Sequence, residues 1–172
     1  TSVGALSMGV GVLTGDSNVA IGRQAGEDLT SGFRNTLVGV SAGKQLTSGE
    51  KNTAIGYDAL VTEDAHGYNV AIGASALAIL NAGADAYNTA VGNSAGYAMT
   101  TGANNTLIGG LAGDALTAGI RNVAVGFGAL STEDANSYNT AVGTYALEKL
   151  NAGADAYNVA VGYKAGVEMT TG

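Results

Sequence analysis

The 172-residue chain has 28 Gly, no Pro, no Cys and no Trp, and 46% of it is hydrophobic, mostly in small residues. So much apolar content excludes a disordered chain. Glycines off a three-residue period exclude collagen, and the lack of Cys excludes disulfides and thiolate zinc sites. A net charge of −7 with seven Lys and Arg argues against a nucleic-acid partner. No apolar run reaches the ~18–20 residues that span a bilayer, so membrane insertion is not expected. The residues after Thr1 do not pattern as a secretory leader, and a start at Thr rather than Met suggests a fragment of a longer chain.

Residues 1–17 read as a divergent first coil. From there the pattern Asn-(Thr/Val)-(Ala/Leu)-(Val/Ile)-Gly begins at Asn18, Asn35, Asn52, Asn69, Asn88, Asn105, Asn122, Asn139 and Asn158. The spacings are 17, 17, 17 and 19, then the same four again, so a 70-residue block occurs twice, at 18–87 and 88–157. Residues 158–172 are a shortened last coil. The whole of 1–172 is expected to form one repeat domain.

Counting from the Asn as position 1, position 5 is always Gly and position 8 always Ala. Position 12 is Leu or Met in seven coils and Glu in two, Glu63 and Glu133. Positions 2 to 4 are short, rich in β-branched residues and bounded by turn formers, so they predict a strand. Both strand faces are apolar or small, as in a parallel sheet covered on two sides. Positions 8 to 12 fit either one helical turn or extended chain.

Units this short cannot bury their own apolar face and must stack. The class expected is therefore all-β, with short helical turns allowed: a parallel β-solenoid of about ten coils at ~4.8 Å per rung. Stacking places the nine Asn in one column, where each amide is expected to bond its neighbours above and below. A thin coil has interior room for one strand face, and position 3, Ala or Leu in all nine coils, is assigned to the outside. A continuous apolar stripe on a rod wants a partner. The expected partner is the chain itself, as a parallel homotrimer, with a monomeric solenoid as the alternative.

The N-V-A-I-G cores at Asn18 and Asn69 resemble the repeat in the heads of trimeric autotransporter adhesins of the YadA type. The full unit, N-T-A-V-G-x-x-A-G/L-x-x-x-T-T-G, is similar to repeats in phage tail fibres and bacterial surface fibres. The likeness covers essentially the whole chain, although adhesin-head units are nearer 14 residues. It implies a trimeric fibre that spans distance and carries receptor-binding modules, and it transfers no catalytic residue.

Candidate chemistry is sparse. Gly39-Val40-Ser41-Ala42-Gly43 and Gly92-Asn93-Ser94-Ala95-Gly96 match the G-x-S-x-G nucleophile elbow. Their glycines are repeat positions 5 and 9, and the single His66 falls at a turn position, so no enzyme is expected. Glu63-Asp64 and Glu133-Asp134 lie four rungs apart, about 19 Å, which is beyond the ~5–9.5 Å of glycosidase carboxylates. They read as a solvated acidic edge, with no metal and no cofactor. Tyr68, Tyr87, Tyr138 and Tyr157 each precede an Asn, and they either seal the coil ends or recognise a glycan or surface receptor. The sequon at Asn104-Asn105-Thr106 is a by-product of the Asn column. The expected role is a shaft or adhesin segment of a tail fibre or bacterial surface fibre, placed on a virion or outside a cell. An ice-binding solenoid is the alternative, although its Thr columns are interrupted.

Overall fold

A computed structural model describes residues 1–9, 13–132, 135–152 and 155–171. Its strands are β1 (Ser2–Val3), β2 (Val19–Ile21), β3 (Thr36–Val38), β4 (Thr53–Ile55), β5 (Val70–Ile72), β6 (Thr89–Val91), β7 (Thr106–Ile108), β8 (Val123–Val125), β9 (Thr140–Val142) and β10 (Val159–Val161). All ten form one parallel sheet in sequence order, with no helix among the described residues. The register follows the repeat: Ala20 pairs with Leu37 and Leu37 with Ala54, position 3 on position 3. The fold is a β-solenoid.

Positions 5 to 12 are neither a helical turn nor an extended segment. They are a run of overlapping β-turns. In the Asn18 coil Ala25 N–H donates to Gly22 O, Glu27 N–H to Gln24 O and Leu29 N–H to Gly26 O, at 3.1–3.3 Å. A type II turn needs positive φ at its third residue, and Gln24 (φ 60°) and Gly26 (φ 58°) supply it. Position 7 takes this conformation even as Ser41, Asp58, Leu111 or Tyr145. Stacking enforces the cost, since Gln24 N–H bonds Ala5 O on one neighbouring rung and Gly26 N–H bonds Ala42 O on the other. At position 5 only glycine fits. Gly22 has φ 132°, and a Cβ there would collide with the Gly39 carbonyl.

The strand faces are the reverse of the sequence expectation. Position 3 points inward and is fully buried from Ala20 to Ala141, together with position 8 from Ala25 to Ala146 and the Leu and Met residues at position 12 from Leu29 to Leu150. Positions 2 and 4 face outward, with Ile21 41%, Ile55 36% and Ile108 40% exposed. The reason is volume. The interior is thin, and the strand side chain that enters it is Ala in seven coils and Leu in two. Val, Ile and Thr at positions 2 and 4 are left outside.

Core filling also accounts for the four-coil period. Leu37 enters from the strand side, and Cβ atoms at Gly26 and Gly43, position 9 of two stacked coils, would lie 2.7 Å from its methyls. In the next two coils the strand carries Ala54 and Ala71, and Leu60 and Leu77 fill the core from position 9. Leu107 between Gly96 and Gly113, followed by Leu130 and Leu147, repeats the exchange.

Candidate functional site

The Asn column forms one edge of the rod. Asn18 to Asn139 are 0–7% exposed at this position. Each Oδ1 accepts the backbone N–H of the next Asn: Asn35 to Asn18 at 2.9 Å, Asn88 to Asn69 at 3.1 Å, Asn158 to Asn139 at 3.2 Å. Most Nδ2 groups turn instead to the carbonyl that closes their own coil, as Asn18 does to Gly32 and Asn88 to Gly102, both at 2.8 Å. Side chain-to-side chain bonds join only some steps, such as Asn105 Nδ2 to Asn88 Oδ1 at 3.1 Å. The column works as a series of side chain-to-backbone clamps more than as a pure amide ladder.

The residue before each Asn stacks in a second, outer column, again with positive φ: 63° at Tyr68, 53° at Tyr87, 65° at Tyr138 and 53° at Tyr157. The rings pair as Tyr68–Tyr87 at 4.7 Å and Tyr138–Tyr157 at 4.8 Å between centroids. A cation lies against each pair. Lys51 Nζ is 4.5 Å from the Tyr68 ring centre and donates to its hydroxyl at 2.7 Å, and Arg121 donates to the Tyr138 hydroxyl at 2.7 Å. Tyr68 in turn donates to Glu50 Oε1 at 2.7 Å. The Tyr68 hydroxyl, then Lys51, hold the Glu50 carboxyl below the usual carboxylate range. The structure thus gathers the four tyrosines into two pairs. Within a pair the inner ring faces cover one another, the Tyr68 and Tyr138 hydroxyls are engaged by their charged neighbours, and Tyr87 and Tyr157 are the exposed members.

The acidic residues divide. Asp64 is exposed as expected, but Glu63 is fully buried, because position 12 is a core column whatever residue occupies it. Its carboxylate accepts the N–H of His66 at 3.3 Å and of Ala82 at 3.4 Å, and lies 3.4 Å from His66 Nδ1. Burial pushes the Glu63 carboxyl up. A carboxyl raised on folding favours the protonated native state, so its stabilising effect is complete below its unfolded value of about 4.3 and is lost as pH rises through the folded value. Glu63→Gln should remove that slope. In thermal melts from pH 4 to 8, wild type should lose stability relative to the variant as pH rises, and parallel curves would refute the assignment. Glu133 and Asp134 lie outside the described residues.

Ser41 and Ser94 are position-7 turn residues, their N–H groups bonded to Arg23 O and Ala74 O at 2.9 Å. His66, at position 15, pairs with Glu63. Among the described residues no three His, Cys, Asp or Glu side chains converge. A shallow cleft of about 330 Å³ beside the first coils is lined by Thr14, Asp16, Phe33 and Arg34 among others.

The surface that sequence reasoning misplaced is the outer strand face. Its signal was present: none of the 21 charged residues falls at position 2 or 4 of any coil. The chain matches no family model, no curated protein and no solved structure. What it does must be read from these surfaces.

Proposed function

We propose that the chain is a rigid shaft segment of a homotrimeric fibre, of the phage tail-fibre or bacterial surface-adhesin kind, holding an attachment module away from a virion or cell. The observation that supports this best is the unbroken ten-stranded stack with an uncharged outer strand face running its length. Ten rungs at ~4.8 Å give a stiff element about 43 Å long. The two cation–tyrosine–tyrosine stacks, one in each four-coil block, are the places along it where a glycan or receptor would be met, through the exposed rings of Tyr87 and Tyr157.

Ice binding is the second reading, because Thr36, Thr53, Thr89, Thr106 and Thr140 share one outward column. Val70 and Val123 interrupt that column, which favours the fibre. Sedimentation equilibrium should return three times 16.8 kDa, and thermal hysteresis should be nil. A monomer with hysteresis would reverse the choice.

A further inference from the structure

The two tyrosine stacks hold a chemistry that a glycan-facing surface does not use. We propose that each stack is a site of oxidative cross-linking, where a carbon–carbon bond joins adjacent coils between Tyr68 and Tyr87, and between Tyr138 and Tyr157. Each bond forms within one chain, so it stands whether the chain is trimeric or single.

Three observations lead to these sites. First, four of the eight tyrosines lie ring against ring with another tyrosine. The centroids are 4.7 Å apart with planes at 23° in the first pair, and 4.8 Å apart at 13° in the second. The Asn clamps hold this register, since each pair consists of the residues that precede two consecutive clamped Asn. Second, one ring of each pair faces water, Tyr87 at 52% and Tyr157 at 67% exposure. An oxidant reaches that ring, the stacked contact lets the lost electron be drawn from its neighbour, and the exposed ring has room to turn edge-on for bonding. Third, the chain has no cysteine, so no disulfide can join its coils. The other stacked contact among the described residues, Phe127 with Tyr145 at 5.5 Å, sets a phenol against a ring without a hydroxyl and cannot couple.

Hydrogen peroxide, used by a haem peroxidase, is the oxidant. The peroxidase takes one electron from each phenol in turn, and each phenol gives up its hydroxyl proton. The two phenoxyl radicals combine at carbons ortho to their oxygens. Each joined carbon then loses its hydrogen as a proton while a proton returns to each oxygen, which restores both phenols. The pair has lost two hydrogen atoms, and the peroxide has become two waters.

The two pairs differ in where the first proton goes. Tyr68 donates to Glu50 Oε1 at 2.7 Å, so its proton passes along a bond already made as its electron leaves. In the second block Ile120 stands where the first has Glu50, and the Tyr138 hydroxyl accepts from Arg121. A cation beside a ring opposes the loss of an electron. Lys51 has that effect on Tyr68 as well, but there Glu50 offsets it. Tyr68 and Tyr87 should therefore couple before Tyr138 and Tyr157.

The test treats dilute wild type with a haem peroxidase and hydrogen peroxide, then cleaves it before its aspartates. Tyr68 and Tyr87 then fall on separate peptides, 64–84 and 85–113, and Tyr138 and Tyr157 on 134–154 and 155–172. The expected product is each pair of peptides joined, at their summed mass less two hydrogens and with the blue emission of dityrosine. Fragment spectra should place the bond at the stacked rings, in protein that still runs as a single chain on a denaturing gel. Tyr68→Phe, which keeps the stack and removes one phenol, should abolish the first link and leave the second. Wild type without the joined peptides overturns the proposal, as does dityrosine found only between chains or at the exposed Tyr57, Tyr97 and Tyr163. A first link that survives Tyr68→Phe also overturns it. Glu50→Gln should slow the first link relative to the second, and an unchanged ratio of rates overturns the role of Glu50 as proton acceptor.

Discussion

Replacing Asn88 with alanine is expected to destabilise the chain by about 3 kcal/mol. Asn88 is fully buried; its Oδ1 accepts the Asn105 N–H at 2.9 Å and its Nδ2 donates to Gly102 O at 2.8 Å. Alanine strands one buried donor and one buried acceptor, each costing ~1–3 kcal/mol. Solvent does not reach the stranded groups, because Asn105 and Gly102 are themselves buried. The same change at Asn93, exposed at position 6, should move the denaturation midpoint little. Equal midpoints for Asn88→Ala and Asn93→Ala in chemical denaturation would show that the clamps carry no stability.

The second large effect lies in the core. Leu37→Ala empties the space between Gly26 and Gly43 and should cost about 2–5 kcal/mol. Gly43→Leu drives a side chain into Leu37 and should cost about 1–3 kcal/mol. Together they recreate the arrangement of the following coil, where Ala54 faces Leu60. Backbone strain does not forbid the exchange, since Leu60 and Leu77 hold φ of 53° and 49° at the same position. The double variant should therefore be more stable than the sum of the singles by about 2 kcal/mol. Additive losses would mean that the two core arrangements are not interchangeable.

The solenoid itself was legible because its causes are periodic: Asn, Gly and Ala at fixed phase imply stacking wherever the side chains point. The direction of the strand faces was not legible from polarity, since Thr36, Leu37 and Val38 give no polar side to choose. Side-chain volume held the answer, with Ala the usual residue at position 3 and a branched one on either side. The burial of Glu63 could have been read from its phase with Leu46 and Leu80, but its charge suggested solvent. The turn run at positions 5 to 12 was hidden for a different reason. Its left-handed residues include Gln24, Leu111 and Tyr145, which show no such preference alone and adopt it because neighbouring rungs bond their N–H groups. The tyrosine pairing needed the register of stacked coils, and the cation beside each pair lies a full coil away in sequence.

The inter-coil hydrogen bonds have a mechanical consequence. Strand-to-strand bonds run along the rod, so a pull on its two ends loads them in peeling, a few at a time at the outermost coil. Bending and compression are instead resisted by every coil at once. A rod built this way is stiff until a threshold and then yields one coil at a time. Each opened coil of about 17 residues releases about 60 Å of chain while the remaining stack keeps its shape. In the proposed role as a fibre shaft, it would act as a strut that lengthens before it breaks.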